Sequence, residues 1–285
     1  MRRRHPDATG RRVLVTGGAS GFGQAISLVY AARGDHVLVT DLAAEPDPAV
    51  LPAATGEGEV VYLQLDIRDE VAWEKAESWV VEHWGGLDVL VNNAGVGAGG
   101  RIDVVPIKDW EWIVETNLLG VVKGCKTFVP LLKEQGHGHV VNVASMAGLV
   151  HAPCMASYNA VKAGVVALSE TMLHELASAG VAVSVVCPSF FRTNLASSIT
   201  RGSDPSVEAS GAGLVSKSKV SADLIAARTV AAVDKQRFLV LPSRDGRLVL
   251  YGKRLTGPGY HWAMKRVGAR VVRSAAKRDA EARRG

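Results

Sequence analysis

Cysteine is scarce in this sequence: Cys125, Cys154 and Cys187 are its three thiols, an odd number with no C-x-x-C pair. That argues against a disulfide framework and a cysteine-built zinc site, and leaves three ordinary thiols of a reducing compartment. Histidine supplies no metal site either. The one close pair, His137 and His139, has no further ligands nearby and reads as part of a solvated turn. Long apolar runs are also missing. None approaches the eighteen residues a membrane span needs, and Met1 to Pro6 have arginines but no apolar stretch behind them, so the expected location is cytoplasmic. There is no repeat of fixed period and no low-complexity segment beyond the ends.

What is present suits one large core. The 285 residues are 47% hydrophobic, and short apolar runs at Val60 to Leu65, Leu87 to Val91, His139 to Val143, Val181 to Val186 and Arg237 to Leu241 alternate with helix-compatible stretches. Strands buried on both faces read this way, so the expected fold is α/β, a doubly wound parallel sheet. Trp73, Trp79, Trp84, Trp110 and Trp112 fall on predicted helices as core or subunit-contact residues.

The first strand, Val13 to Val15, runs into Thr16-Gly17-Gly18-Ala19-Ser20-Gly21-Phe22-Gly23, and a helix-compatible segment from Gln24 to Arg33 follows. Glycines there let backbone approach a pyrophosphate, and the first helical turn offers it unpaired N–H groups and a positive dipole end. The spacing G-x-x-x-G-x-G differs from G-x-G-x-x-G, and no Lys-Ser or Lys-Thr follows, which argues against ATP or GTP. The second strand, His36 to Thr40, ends at Asp41, eighteen residues past Gly23. A carboxylate there accepts from ribose hydroxyls and repels a 2′-phosphate, and neither Ser20 nor Leu42 offers an arginine, so NAD is favoured over NADP. After it, Pro46, Pro48 and Pro52 predict a short or broken helix.

Tyr158 and Lys162 are four apart at the start of a predicted helix, with Ser145 thirteen residues upstream. Positions i and i+4 share a face, and a nearby cation stabilises a phenolate, so the lysine together with a bound cationic cofactor is expected to lower the tyrosine pKa from its usual value of about 10.

These residues, with Asp66, Asn92-Asn93-Ala94-Gly95, Asn117 and Pro188 through Thr193, stand in the order and spacing of the short-chain dehydrogenase/reductase family, which the chain resembles over residues 12–245. The resemblance implies a Rossmann-type fold and hydride transfer between nicotinamide and a secondary alcohol or ketone. It implies that Ser145 holds the substrate oxygen, Tyr158 passes the proton, Lys162 holds the nicotinamide ribose, and Asn117, within a helix over 109–132, links the lysine to solvent through water. Cofactor contacts are implied for Gly17, Ser20, Gly21, Phe22 and Gly23, for Asp66 and Ile67 at the adenine, for Pro188 and Thr193, and for Asn92, Ala94 and Gly95, which with Asn93 shape the floor beneath the adenosine. Ser189 departs from the family pattern, which has glycine there. Dimers or tetramers are usual in this family, so a homo-oligomer is expected. Epimerases and dehydratases of extended relatives carry a larger substrate domain than the forty or so residues left here, and sensors that have lost catalysis tend to lose the tyrosine or lysine; both stay as alternatives.

Val96, Leu149, His151, Cys154 and Met155, with Phe190, Phe191, Leu195 and Ile199 as a lid, suggest an apolar pocket for a hydrophobic alcohol or ketone. Charge divides the chain into a basic arm (1–12), a catalytic domain (13–249) and a basic tail (250–285). The arm has five arginines against Asp7 and the tail ten basic residues against Asp279 and Glu281, together +12 of a net +5, so the domain carries −7 and no nucleic-acid partner is expected. In the tail, Ala263, Met264, Val267, Val271 and Ala275 fall on one helical face and Arg266, Arg270, Arg273 and Lys277 on another. Such a helix can make peripheral contact with an anionic membrane, cover a neighbouring subunit, or stay solvated.

Overall fold

The computed structural model describes residues 10–189, 204 and 220–282. Seven parallel strands form one sheet in the order β3-β2-β1-β4-β5-β6-β7: β1 is Arg12–Thr16, β2 His36–Asp41, β3 Val60–Gln64, β4 Val89–Asn92, β5 Gly138–Val143, β6 Val181–Val186 and β7 Leu239–Val240. Every strand found at the sequence level is there. The order reverses between β1 and β4, the switch point beside which a doubly wound sheet opens a crevice.

Helices cover both faces. Helices α2 (Glu70–Trp84), α4 (Gly120–Gln135) and α6 (Ala156–Glu175) lie on one side, and α1 (Gly21–Ala31) and α7 (Ala222–Asp234) on the other. Alternation along β1 shows why: Leu14 packs with Trp73, Phe128 and Val165, whereas Val13 and Val15 pack with Ile26, Tyr30 and Ile225. Both sets are buried. Arg11, just before β1, ties the turn that follows α1 to the last residue of α7, pairing with Asp35 at 3.3 Å and Asp234 at 2.8 Å.

Two expectations on local structure are settled. The proline-rich connection after β2 holds only a single turn of 3-10 helix, Pro48–Val50. His139 corrects the sequence reading: it is a buried residue of β5, bonded at 2.8 Å to the Ser184 hydroxyl, and not part of a solvated turn. Its neighbours on β5 are apolar, and the strand, not the preceding Gly136 turn, sets its environment.

Short α3 (Ile107–Val114) continues through a π-helical turn, Glu115–Leu119, into α4. After β5 comes the brief α5 (Ala147–Val150), and α8 (Arg244–Ala282) ends the described chain as a 39-residue helix. It begins six residues before the basic tail. Among the described residues no helix is long and apolar enough to cross a membrane.

Candidate active site

The crevice is made at the carboxyl ends of β1, β2, β4, β5 and β6, where the chain leaves the sheet. Gly17 (φ +60°) and Gly21 (φ +52°) adopt left-handed backbone that side chains disfavour. Gly23 is needed for contact: a Cβ there would stand 2.1 Å from the Gly17 carbonyl oxygen. The turn thus folds tightly against the first turn of α1, whose N-cap, Ser20, makes no side-chain cap bond. Phe22 is buried behind it. This bare cradle fits a dinucleotide pyrophosphate, with Gly17, Ser20, Gly21 and the α1 amides to hold it.

Asn93 locks the turn in place. Its amide donates to the Thr16 carbonyl at 2.9 Å and the Gly17 carbonyl at 3.3 Å, while its own N–H and that of Ala94 both donate to the Thr16 hydroxyl at 3.0 Å. Asn92, one residue earlier, turns the other way into the core and donates to Asn142 at 2.9 Å. Strand alternation separates the two neighbours. The Asn92 side chain thus serves the core, and the Asn93 side chain serves the crevice.

Asp41 ends β2 with its carboxylate at the crevice, accepting from the Ala19 N–H at 3.2 Å and the Leu42 N–H at 2.8 Å. Asp66 is gripped by Arg68, whose Nη2 donates at 2.6 Å, and that guanidinium holds the carboxyl below its usual range. Ile67 is buried, and its carbonyl accepts from the Trp73 indole at 3.0 Å.

Tyr158 and Lys162 both turn inward from α6 and are buried, with Nζ 5.9 Å from the centre of the phenol ring. Ser145 stands beside Tyr158, close enough for its side chain to draw the phenol's pKa down. Ser145 is held in turn, its Oγ accepting from the Ala147 N–H at 3.1 Å. Lys162 donates to the Val143 carbonyl at 3.0 Å. Gly95 abuts this group: a Cβ there would lie 3.0 Å from Asn117 Oδ1 and 3.6 Å from Lys162 Nζ. Asn117 occupies the π-helical turn and clamps Val96, accepting from its N–H and donating to its carbonyl, both at 2.8 Å. Such a turn widens the helix by one residue and leaves backbone groups free to serve a site.

Burial pushes Tyr158 up to about 12, opposed by the nearby Ser145 side chain, and burial pulls Lys162 down to about 8. Desolvation in the closed pocket governs both groups, and the ammonium is bonded to Val143 rather than to the phenol.

The far wall is the loop after α5, where His151 (φ +50°) and Cys154 (φ +58°) take left-handed backbone. Helix α8 braces it: Lys253 donates to the Leu149 carbonyl at 2.5 Å and stands 3.2 Å from His151 Nδ1, and the Tyr260 hydroxyl bonds the Val150 carbonyl. Pro188 lies beside Ser145, its carbonyl accepting from the Met146 N–H at 2.9 Å. Ser189 uses the hydroxyl a glycine would lack, donating to Asp245 of α8 at 2.8 Å. Thr193, Phe190, Phe191, Leu195 and Ile199 lie outside the described residues.

The family profile described as short chain dehydrogenase matches residues 11–204. Among curated proteins, the chain is similar to the CLA biosynthesis dehydrogenase/reductase of Lactiplantibacillus plantarum, 35% identical over 187 residues that make up 64% of this chain and 65% of that protein. It is also similar to the 3-oxoacyl-[acyl-carrier-protein] reductase FabG of Thermotoga maritima, 34% identical over 65% of this chain and 75% of that protein. The match thus spans just under two thirds of the first relative's length. Among solved structures, a short chain dehydrogenase/reductase from Burkholderia phymatum in complex with NAD superimposes with TM-score 0.78 at 29% identity, over 86% of this chain and 93% of that one.

Proposed function

The chain belongs to the short-chain dehydrogenase family, and from that premise we propose that it is an NAD-dependent dehydrogenase or ketoreductase for a secondary alcohol or its ketone with an apolar body. The observation that supports the reading is that Tyr158 and Lys162 turn from one helix face into a single buried pocket, Nζ 5.9 Å from the ring centre, with Ser145 beside the phenol. Asp41 supports the choice of NAD, since a carboxylate beside the glycine turn would repel a 2′-phosphate.

In the direction of reduction, Ser145 donates a hydrogen bond to the carbonyl oxygen and Tyr158 delivers the proton to it. Oxidation reverses the proton's path, from the carbinol O–H to the phenolate. When bound, the nicotinamide supplies or accepts the hydride. Lys162 contributes positive charge near the phenolate and a donor for the nicotinamide ribose, and Asn117 fixes the wall of the proton path. Leu149, Val96 and Met155 give the substrate side apolar character, and the enzyme works as a homo-oligomer.

The test is NADH absorbance with purified protein and a panel of alicyclic and long-chain secondary alcohols and ketones beside a panel of sugars, each with NAD(H) and with NADP(H). Turnover of hydrophobic substrates with NAD(H) is expected. Turnover confined to sugars, or to NADP(H), would overturn the substrate or the cofactor assignment respectively.

A further inference from the structure

Helix α8 has two faces, and the fold explains only one. The inward face follows Gly246, Leu250, Lys253, Tyr260, Gly268 and Ala275 at helical spacing. Gly246 abuts Met146, Lys253 and Tyr260 bond the carbonyls of Leu149 and Val150, and Gly268 faces Pro153. Leu250 and Ala275 are buried. This face is spent on the loop that walls the candidate active site.

On the opposite face, Leu248, Tyr251, Leu255 and Trp262 recur at spacings that fall within one narrow arc of the helix. They are 73%, 56%, 84% and 58% exposed. From Gly246 to Arg278 the chain has nine lysines and arginines and no acidic residue. The Arg266 guanidinium lies 3.9 Å over the Trp262 ring, and Trp262, Lys265, Arg266, Arg270 and Arg273 line one shallow depression.

Exposed leucine and tryptophan in a field of one sign narrow the occupant. Nucleic acid would use the cations but gives Leu255 nothing to bury against. A second copy meeting this face through its own α8 would set cations against cations. An anionic bilayer satisfies both features, taking apolar side chains into its interface and the cations onto its phosphates. We propose that the outward face of α8 docks on an anionic lipid surface, with Leu255 and Trp262 inserted and Arg266, Arg270 and Arg273 on lipid phosphates. Because the inward face lies on residues 149–153, docking brings the site wall to within about one helix diameter, roughly 10 Å, of the lipid. The docking stands on α8 alone and does not depend on the dehydrogenase reading.

Co-sedimentation of the full chain with vesicles tests it, using phosphatidylcholine alone and phosphatidylcholine with phosphatidylglycerol in equal parts. The wild type is expected to partition at least about tenfold better onto the anionic vesicles, and the triple variant Arg266→Gln, Arg270→Gln, Arg273→Gln to lose on the order of a hundredfold, each cation near the surface being worth about fivefold. Leu255→Ser with Trp262→Ser should lose about tenfold or more while retaining the oligomeric state and the melting temperature. Both substitutions are at exposed positions, so folding is expected to survive them. Equal partition of wild type and variants, or no preference for anionic lipid, would overturn the proposal. So would a double variant whose main effect is a change in oligomeric state without vesicle binding by the wild type, which would assign the face to a second copy.

Discussion

Lys162 lies 5.9 Å from the centre of the Tyr158 ring while its ammonium donates to the Val143 carbonyl at 3.0 Å. The two groups share one buried pocket without a direct bond. The orientation of the lysine is fixed by the end of β5.

That relationship makes a pH prediction. Phenolate is the form that accepts the proton in oxidation, so activity should rise with pH. A cation favours the phenolate, so with NAD saturating, the midpoint of kcat/KM against pH should fall below the value of about 12 that burial imposes on Tyr158. Lys162→Ala removes a cation and should move the midpoint upward as well as lowering the rate. A profile unmoved by Lys162→Ala would show that this ammonium does not tune the proton transfer.

Cofactor choice is predicted to rest on Asp41. Replacing its carboxylate by Asp41→Ser and adding a guanidinium with Leu42→Arg should shift the ratio of kcat/KM for NAD over NADP by at least about tenfold toward NADP, or roughly 1.4 kcal/mol. Leu42 is 59% exposed, so the added side chain has room. Kinetics with both cofactors measure the shift, and an unchanged ratio would place discrimination elsewhere.

Gly23→Ala should be severe. The new methyl would sit 2.1 Å from the Gly17 carbonyl oxygen and 2.4 Å from the Asn93 amide, both holding the turn. NAD affinity measured by calorimetry is expected to drop more than about tenfold, since the turn must open to accept the methyl. Gly21→Ala, with open space around its Cβ but φ +52°, should cost less, on the order of 1 kcal/mol of stability.

How much of this was legible from sequence depends on the range of the interactions. The i, i+4 relation of Tyr158 and Lys162, the glycine turn and the apolar strands are local patterns, and each is found where the pattern put it. Asn93 against Asn92 is decided by which way alternate side chains face at the end of β4, and the four-residue run alone does not give that phase. The π-helical turn around Asn117 comes from one extra residue between α3 and α4, which has no compositional mark. The bracing of Leu149 and Val150 by Lys253 and Tyr260 joins positions about a hundred residues apart, and no periodicity reports such a contact. The inward turn of Met264, Val271 and Ala275 was readable as one helical face; Val267, counted with them, is 40% exposed.

His139 makes stability depend on acid. Burial lowers its pKa to about 4 from the ordinary 6.5, so the unfolded chain takes up the proton more readily than the folded one. The contribution is complete above pH 6.5 and drains as pH falls toward 4. Between pH 7.5 and pH 5 it should remove roughly 2 kcal/mol, read as the difference in urea stability between the wild type and His139→Asn, whose profile should be flatter. Parallel profiles would remove His139 as the cause.

The central claim is that Tyr158 passes the proton in an NAD-linked oxidoreduction, and its most direct measurement is NADH absorbance under saturating substrate for the wild type and Tyr158→Phe, with NAD affinity measured on both. The account predicts unchanged affinity and a loss in kcat of about 10²- to 10⁴-fold. Turnover by Tyr158→Phe at the wild-type rate would contradict it.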